Sequence, residues 1–317
     1  MVKCEQARLT NMIVQGSTVS ADSASSLIRL RVREILDSDI SPLTDLLTRG
    51  FPCPRRYWEV GLERMRTRSL PTGMPRYGYM LEANGNPVGV ILLISSLRRV
   101  EDREELFSNL SSWYVEPAYR SHAAQLLKRA LTNKQTTYLS ISAATHVRPI
   151  YEALGFRCYS RGQVLAVPAL ARNRQKVRTR IVEADSFSGL EFHEGERQQL
   201  ELQSSYGCIS FCCVTEDQVR PFVFLPRTIR RFIPCAQLVY CRNISDLIDV
   251  AGAVGRYLLL LGQPFVLVDA NGPISGLPGK YFPDATPKYY KGAASPLLGD
   301  LAETEATIFG IWSPTDR

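Results

Sequence analysis

The sequence has no apolar run long enough to cross a bilayer. Its longest candidate, Leu247 to Leu261, is interrupted by Asp249 and Arg256 and falls short of the roughly 20 residues a spanning helix needs. The first 26 residues hold Lys3, Glu5, Asn11 and several serines but lack the apolar centre of a signal peptide; residues 1–26 are expected to be a flexible leader on a cytoplasmic protein. The eight cysteines include no pair of C-x-x-C motifs, so no metal is expected, and reduced, buried thiols are. There is also no long basic block. The 38 basic and 31 acidic residues, net charge +7, are spread along the chain, which argues against a nucleic-acid or membrane role and describes a solvated basic surface, one that also favours an anionic ligand.

What is present is length and order. At 317 residues, 45% of them apolar, the chain can build large cores and is long enough for two domains. Leu27 to Ile35 alternates like a half-buried strand. Asp37, Ser38 and Asp39 are cap candidates for a helix through Leu43, Leu46 and Leu47, and Tyr57 to Arg66 forms a second helix with Trp58, Leu62 and Met65 on one face. Arginines 55, 56, 64, 66 and 68 are read as a solvated face, with an acidic acceptor as the alternative. Tyr77 to Ala83 and Pro87 to Ser95 flank Asn84-Gly85-Asn86, where Asn-Gly supplies the positive φ of a tight hairpin. Arg98 to Glu105 is charged and reads as a loop.

The stretch from Trp113 to Phe156 organises the rest. Leu110 to Val115 is a strand that stops at Glu116-Pro117, because proline cannot donate to the ladder. After a turn over Ala118–His122, apolar residues at 123, 126, 127, 130 and 131 define an amphipathic helix. Thr136 to Ile141 returns as a parallel neighbour of the first strand. Pro149 and Gly155 then bracket a short helix. A helix starting at the carboxyl end of a parallel strand offers backbone N–H groups and a positive dipole end, a natural seat for a pyrophosphate.

Two motifs, V-E-P-A-Y-R at Val115–Arg120 and Y-E-A-L-G-F at Tyr151–Phe156, resemble the GNAT superfamily of acyl-CoA-dependent N-acyltransferases over roughly residues 28 to 168. The resemblance implies an α/β (α+β) fold: a mixed, mostly antiparallel sheet whose central parallel pair splays apart. It implies acetyl-CoA, or another acyl-CoA, as co-substrate, cradled by the backbone of Arg120, Ser121, His122, Ala123, Ala124 and Gln125. The thioester carbonyl and the cofactor's arm are expected along Tyr114 and Val115. Tyr151 corresponds to the acid that protonates the leaving thiolate, a role suited to a phenol that is neutral at pH 7. The family's loop usually has glycine where Ala123 and Gln125 stand.

For the general base, Glu116 at the end of the central strand is the candidate, with His146, Glu152 and ordered water behind it. His122 is read as a phosphate contact. Cys53 and Cys158 are weighed as acyl-carrying nucleophiles, but neither has a local histidine partner and direct transfer needs neither.

Ala169 to Lys176 is polar and basic and reads as a linker (169–176) between a unit at 27–168 and a second at 177–317. The second half repeats the order strand, helix, hairpin, strand, helix, strand: Val177–Val182, Glu194–Ser204, Cys208–Val214 with Val219–Leu225, Cys235–Cys241, a helix capped by Ser245, and Phe265–Asp269. This describes two tandem GNAT-like units, the second degenerate, since Arg242-Asn243-Ile244 has no small-residue run to wrap a pyrophosphate. Tyr281, Tyr289 and Tyr290 fall roughly where the second unit's late-helix tyrosine would lie.

The expected function is transfer of an acetyl group to the amine of a small molecule. The alternative is a catalytically degenerate module that binds a ligand or a partner chain, and Gln125 is the feature on which the two part.

Overall fold

The computed structural model describes residues 29–100, 103–171, 179–216, 218–230 and 232–310. The expected leader, 1–26, and most of the expected linker, 172–176, lie outside them. In chain order the first half contains β1 (Leu30–Glu34), α1 (Ile40–Gly50), α2 (Arg55–Thr67), β2 (Gly78–Ala83), β3 (Asn86–Val100), β4 (Arg103–Val115), α3 (Ala123–Ala130), β5 (Thr137–Ser140), α4 (Arg148–Ala153) and β6 (Arg157–Ala166). The second half contains β7 (Arg180–Glu183), α5 (Glu196–Ser205), β8 (Ile209–Val214), β9 (Val219–Ile229), β10 (Ile233–Cys241), α6 (Ile244–Leu260), β11 (Phe265–Ala270), β12 (Gly279–Lys291) and α7 (Glu305–Ile308).

Local chemistry accounts for most of these boundaries. Asn84 and Gly85 have φ of 49° and 87° and close the β2–β3 hairpin, and Gly155 at φ 81° ends α4. Two expectations are corrected. The described part of Arg98–Glu105 is strand, not loop: β3 runs to Val100 and β4 starts at Arg103, pairing Arg98 with Glu105 and Arg99 with Glu104, because opposite charges facing each other across a ladder stabilise strands as well as apolar pairs do. The cap of α6 is Asn243, not Ser245, since Asn243 and Asp246 form a reciprocal capping box. Residues 157–166 form one continuous strand, β6, which is paired on both edges.

All twelve strands form one sheet in the order β1-β2-β3-β4-β5-β12-β6-β11-β10-β9-β8-β7. The pairs β4–β5 and β10–β11 are parallel, and the other described neighbours are antiparallel. The order reads the same from either end when each strand is exchanged for its counterpart six places along the chain. Each half therefore lends its sixth strand to the other: β12 inserts between β5 and β6, and β6 between β11 and β12. The mixed, mostly antiparallel sheet of two GNAT-like units is present, but the units interlock.

The sheet is covered on both faces, as its apolar strands require. Val90, Leu92 and Ile94 pack with residues of α1 and α2, while Ile91 and Leu93 pack with α3. On the α1/α2 face a further cluster joins Phe107, Leu139 and Tyr159 of the first half to Leu200, Val223, Val239 and Leu301 of the second, so one core crosses from half to half. Gly162 permits this centre: a Cβ there would lie 2.3 Å from the Phe282 carbonyl oxygen on β12.

Candidate active site

The parallel partners β4 and β5 are in register only at Phe107↔Thr137, Ser108↔Tyr138 and Asn109↔Leu139. Beyond them β4 runs on to Val115 while β5 ends at Ser140, so the strands part. The parting coincides with a bulge: between Val90↔Tyr114 and Leu92↔Ser111 two residues of β4 oppose one of β3, and Ser112 has a φ of 51°. A bulge bends a strand and re-aims its backbone groups, and a positive φ at a residue with a Cβ is strained.

Asn109 holds the vertex of the opening. It is 1% exposed, donates from Nδ2 to the Leu139 and Leu110 carbonyls at 3.3 and 3.2 Å, and accepts the Glu305 N–H at Oδ1 at 2.8 Å. The partly buried Glu305 carboxylate spans the gap: it accepts from Ser111 Oγ on the β4 side at 2.5 Å and from Ser142 Oγ just past β5. Burial raises the Glu305 carboxyl above the usual range; the two serine hydroxyls and the charge of Lys288 oppose this only in part.

Tyr151 closes the other side. Proline early in α4 and Gly155 after it fix the short helix. The buried ring packs against Phe156 at 4.7 Å and Tyr289 at 6.4 Å between centroids. Burial raises the phenol's pKa, a hydrogen bond with Ser140 opposes the rise, and the Glu305 charge adds to it. Tyr151 is thus a neutral donor within electrostatic reach of Glu305. Tyr289 and Tyr290 sit on a strand, not a helix. Consecutive strand residues face opposite ways, so Tyr289 meets Tyr151 while Tyr290 packs on Tyr159.

The other expected residues are distributed along β4 and the turn after it. The Tyr114 ring faces Gly50 and Phe51 at the end of α1, whereas Val115 faces the α3 side, which leaves their backbones as the groups they share with the opening. Glu116 is held in an ion pair with Arg49 at 2.9 Å. Residues Pro117–His122 form a 3-10 turn that runs directly into α3, and the Ala123 N–H donates to the Arg120 carbonyl. Arg120, Ser121, Ala124 and Gln125 are exposed, with His122 and Ala123 half-buried. The Gln125 side-chain amide turns onto His122 Nδ1 at 3.2 Å. His146 is exposed, and Glu152 accepts from the Tyr289 hydroxyl at 3.4 Å. Burial pushes the Cys53 thiol up to about 11 and raises that of Cys158, so neither favours the thiolate a nucleophile needs.

Glu305, Asn109, Ser111 and Ser142 were not among the site residues expected from the sequence. Glu305 arrives on a C-terminal segment that crosses the α1/α2 face. Two of the arginines read as a solvated row turn inward to hold it: Arg64 donates to the Thr307 and Ile308 carbonyls at 3.2 and 3.1 Å, and Arg68 faces Glu303 at 3.5 Å. Arg98 donates to the Ala302 carbonyl at 2.6 Å and pairs with Asp300. By contrast Arg55 and Arg66 form exposed pairs with Asp45, Glu59 and Glu63.

The second half has a matching opening, filled by the same segment. The pair β10–β11 is in register only over Cys235–Gln237 and Phe265–Leu267. Past that point Leu301 donates to the Val239 carbonyl at 2.7 Å, Cys241 donates to the Gly299 carbonyl at 3.1 Å, and Tyr240 bridges Asp300. Gly299, with a φ of 81°, has its Cβ position 3.0 Å from Cys241 Sγ.

The mixed sheet, with its parallel and antiparallel strands, has a GNAT-like fold, that of solved GCN5-related N-acetyltransferases. Solved structures agree over most of the chain: a GCN5-related N-acetyltransferase of Anabaena variabilis superposes with a TM-score of 0.54 at 12% identity, covering 83% of this chain and 72% of that one. One from Kribbella flavida gives 0.52 at 13% identity, over 84% and 72%, and a conserved Enterococcus faecalis protein of unknown function gives 0.52 at 9%, over 87% and 74%. No protein-family model matches the chain, and a comparison with curated proteins finds no match. Among the described residues no group of His, Cys, Asp or Glu could hold a metal ion, and no helix is long and apolar enough to cross a membrane.

Proposed function

We propose that the protein is an acyl-CoA-dependent acyltransferase of the cytoplasm, moving an acetyl group directly from acetyl-CoA to an amine of a small molecule. The opening between β4 and β5 carries this reading. A thioester lying there would meet backbone N–H groups near Tyr114 and Val115 at the oxygen where negative charge develops, and a pantetheine arm would pair along the parted strand. Holding both substrates in line then supplies much of the rate. The pyrophosphate would rest on the turn Arg120–Gln125 at the start of α3, favoured by the helix dipole and by the small side chains of Ala123 and Ala124. Tyr151 would donate its phenolic proton to the departing thiolate. Glu116, from its ion pair with Arg49, is the carboxylate that the sequence nominates to take the amine's proton.

A second reading, a ligand- or partner-binding module without catalysis, is favoured by one observation: the Ala123 N–H is already bonded to Arg120, and Gln125 projects from the turn where backbone must close on phosphate. Calorimetric titration with acetyl-CoA separates the two. Micromolar binding by wild type that Ala123→Trp abolishes supports the cradle and justifies a screen of primary amines followed by thiol release. Binding by Gln125→Gly alone makes the module reading the better one, and binding by neither removes the cofactor assignment.

A further inference from the structure

We propose that Glu305, rather than Glu116, is the group that takes the proton from the acceptor amine; this rests on the acyltransferase reading above. The carboxylate lies inside the opening of the parallel pair, bridging a hydroxyl from each strand's side, Ser111 and Ser142. Its backbone N–H is fixed by Asn109 at the vertex. It enters from the α1/α2 face, with Ile308 and Phe309 packed among Trp58, Leu62 and Tyr114, while Tyr151 lies in the cluster on the α3 face. Acid and base thus stand on opposite sides of the sheet opening, so that proton removal from the amine and proton donation to the thiolate fall to separate groups. Glu116, in contrast, is engaged by Arg49 at 2.9 Å.

The groups facing Glu305 permit the role. Tyr57 from α2 and Tyr151 from α4 are phenols whose pKa values are themselves raised, by burial first. Lys288 from β12 is committed to Asp269 at 2.7 Å. The serines donate to the carboxylate and can be released as an amine arrives.

An ammonium acceptor gives one proton to the Glu305 carboxylate, and its freed lone pair forms the C–N bond at the thioester carbonyl. The C–S bond breaks, and the thiolate takes the Tyr151 phenolic proton. The second proton leaving nitrogen restores Tyr151, and Glu305 passes its proton to water. The products are an amide, a free thiol and one proton.

The test compares wild type, Glu305→Gln and Glu116→Gln for thiol release from acetyl-CoA, using the primary amine that wild type turns over fastest, across the pH range in which carboxylates and amines titrate. Glu305→Gln keeps a side chain that can hydrogen-bond both serines. Its kcat is expected to fall about 10²-fold or more, with acetyl-CoA affinity unchanged and the acidic limb of the pH profile lost. Glu305→Asp, made in case the amide disturbs folding, should keep the limb at reduced kcat. Retained turnover, a lowered kcat with the acidic limb intact, or loss of the limb in Glu116→Gln instead would overturn the assignment. Tighter acetyl-CoA binding by Glu305→Gln with little loss of kcat would also overturn it, because the carboxylate would then be a plug. If wild type turns over no amine, the acyltransferase reading itself fails.

Discussion

Gly61→Ala is the substitution whose outcome depends most directly on where the C-terminal segment lies. In an exposed helix interior this change gains about 1 kcal/mol, because alanine loses less backbone freedom on folding. Here Gly61 faces α7, and a Cβ would lie 1.9 Å from Phe309 Cδ1 and 2.1 Å from Cε1. One of the two must move. Phe309 is 7% exposed and packs on Tyr57 and Trp58 at 5.7 and 5.6 Å. Expelling a buried phenylalanine costs up to about 3–5 kcal/mol; less the propensity gain, the net loss is about 2–4 kcal/mol. The loss falls on the segment that holds Glu305, four residues before Phe309. Denaturant unfolding should show the lost stability, and hydrogen exchange should show faster exchange at the amides of 307–309. In a Phe309→Ala background the same change should be neutral or stabilising by about 1 kcal/mol, which gives a coupling of about 2–5 kcal/mol. A Gly61→Ala protein that is more stable than wild type, with those amides still protected, would refute the placement of α7.

Tyr151→Phe should lower turnover about 10²-fold while leaving acetyl-CoA affinity unchanged, because only the donated proton is removed; steady-state kinetics beside calorimetry reads both, and unchanged turnover removes Tyr151 from the chemistry. Glu196 caps the second half's core. Burial would raise its pKa, but Arg242 and Tyr240 outweigh it and hold the carboxyl below the ordinary glutamate value. A depressed folded-state pKa means the stabilisation is complete above the unfolded-state value and disappears as pH falls through the folded one. Urea unfolding of wild type should therefore weaken on acidification more steeply than that of Glu196→Gln, and parallel slopes would count against the pair. Lys288, 1% exposed, bonds Asp269, which also accepts from Gln163 at 3.0 Å. Lys288→Met strands a buried carboxylate and should cost about 3–5 kcal/mol, most of it recovered in Lys288→Met with Asp269→Leu; an equally unstable double variant would show that packing, not charge, sets the loss.

What the sequence disclosed follows from the range of the forces concerned. Asn84-Gly85, Pro149 and Gly155 act through their own φ angles, and the apolar spacing of α3 acts through one helix turn, so the element order was readable in the first half and, in the second, as far as β11. The charged hairpin at 98–105 was misread because opposite charges support a ladder only once the partner strand is known. The exchange of β6 and β12 has no local signature: the strand that fills a gap is chosen by shape across the whole chain. Glu305 is the extreme case. Around it Thr304 signals a helix start by accepting from Ala306, but nothing nearby encodes contact with serines 194 and 163 residues away. The helix was legible in principle; its address was not.

The symmetry of strand order makes the two openings equivalent in plan, and connectivity alone makes them different. The segment after β6 must travel on to β7, and it first packs beneath α6, where a Cβ on Gly255 would lie 2.0 Å from the Ala169 backbone nitrogen. It is therefore not free to enter an opening. The segment after β12 has no further strand to reach among the described residues. It pairs first with β10, filling the second opening with backbone, and then carries Glu305 into the first. A repeated strand order joined in this way yields one opening that receives a carboxylate and one closed by backbone. Truncation before Gly299 would open the second and strip the carboxylate from the first at once, so only side-chain substitutions at 305 can assign the chemistry.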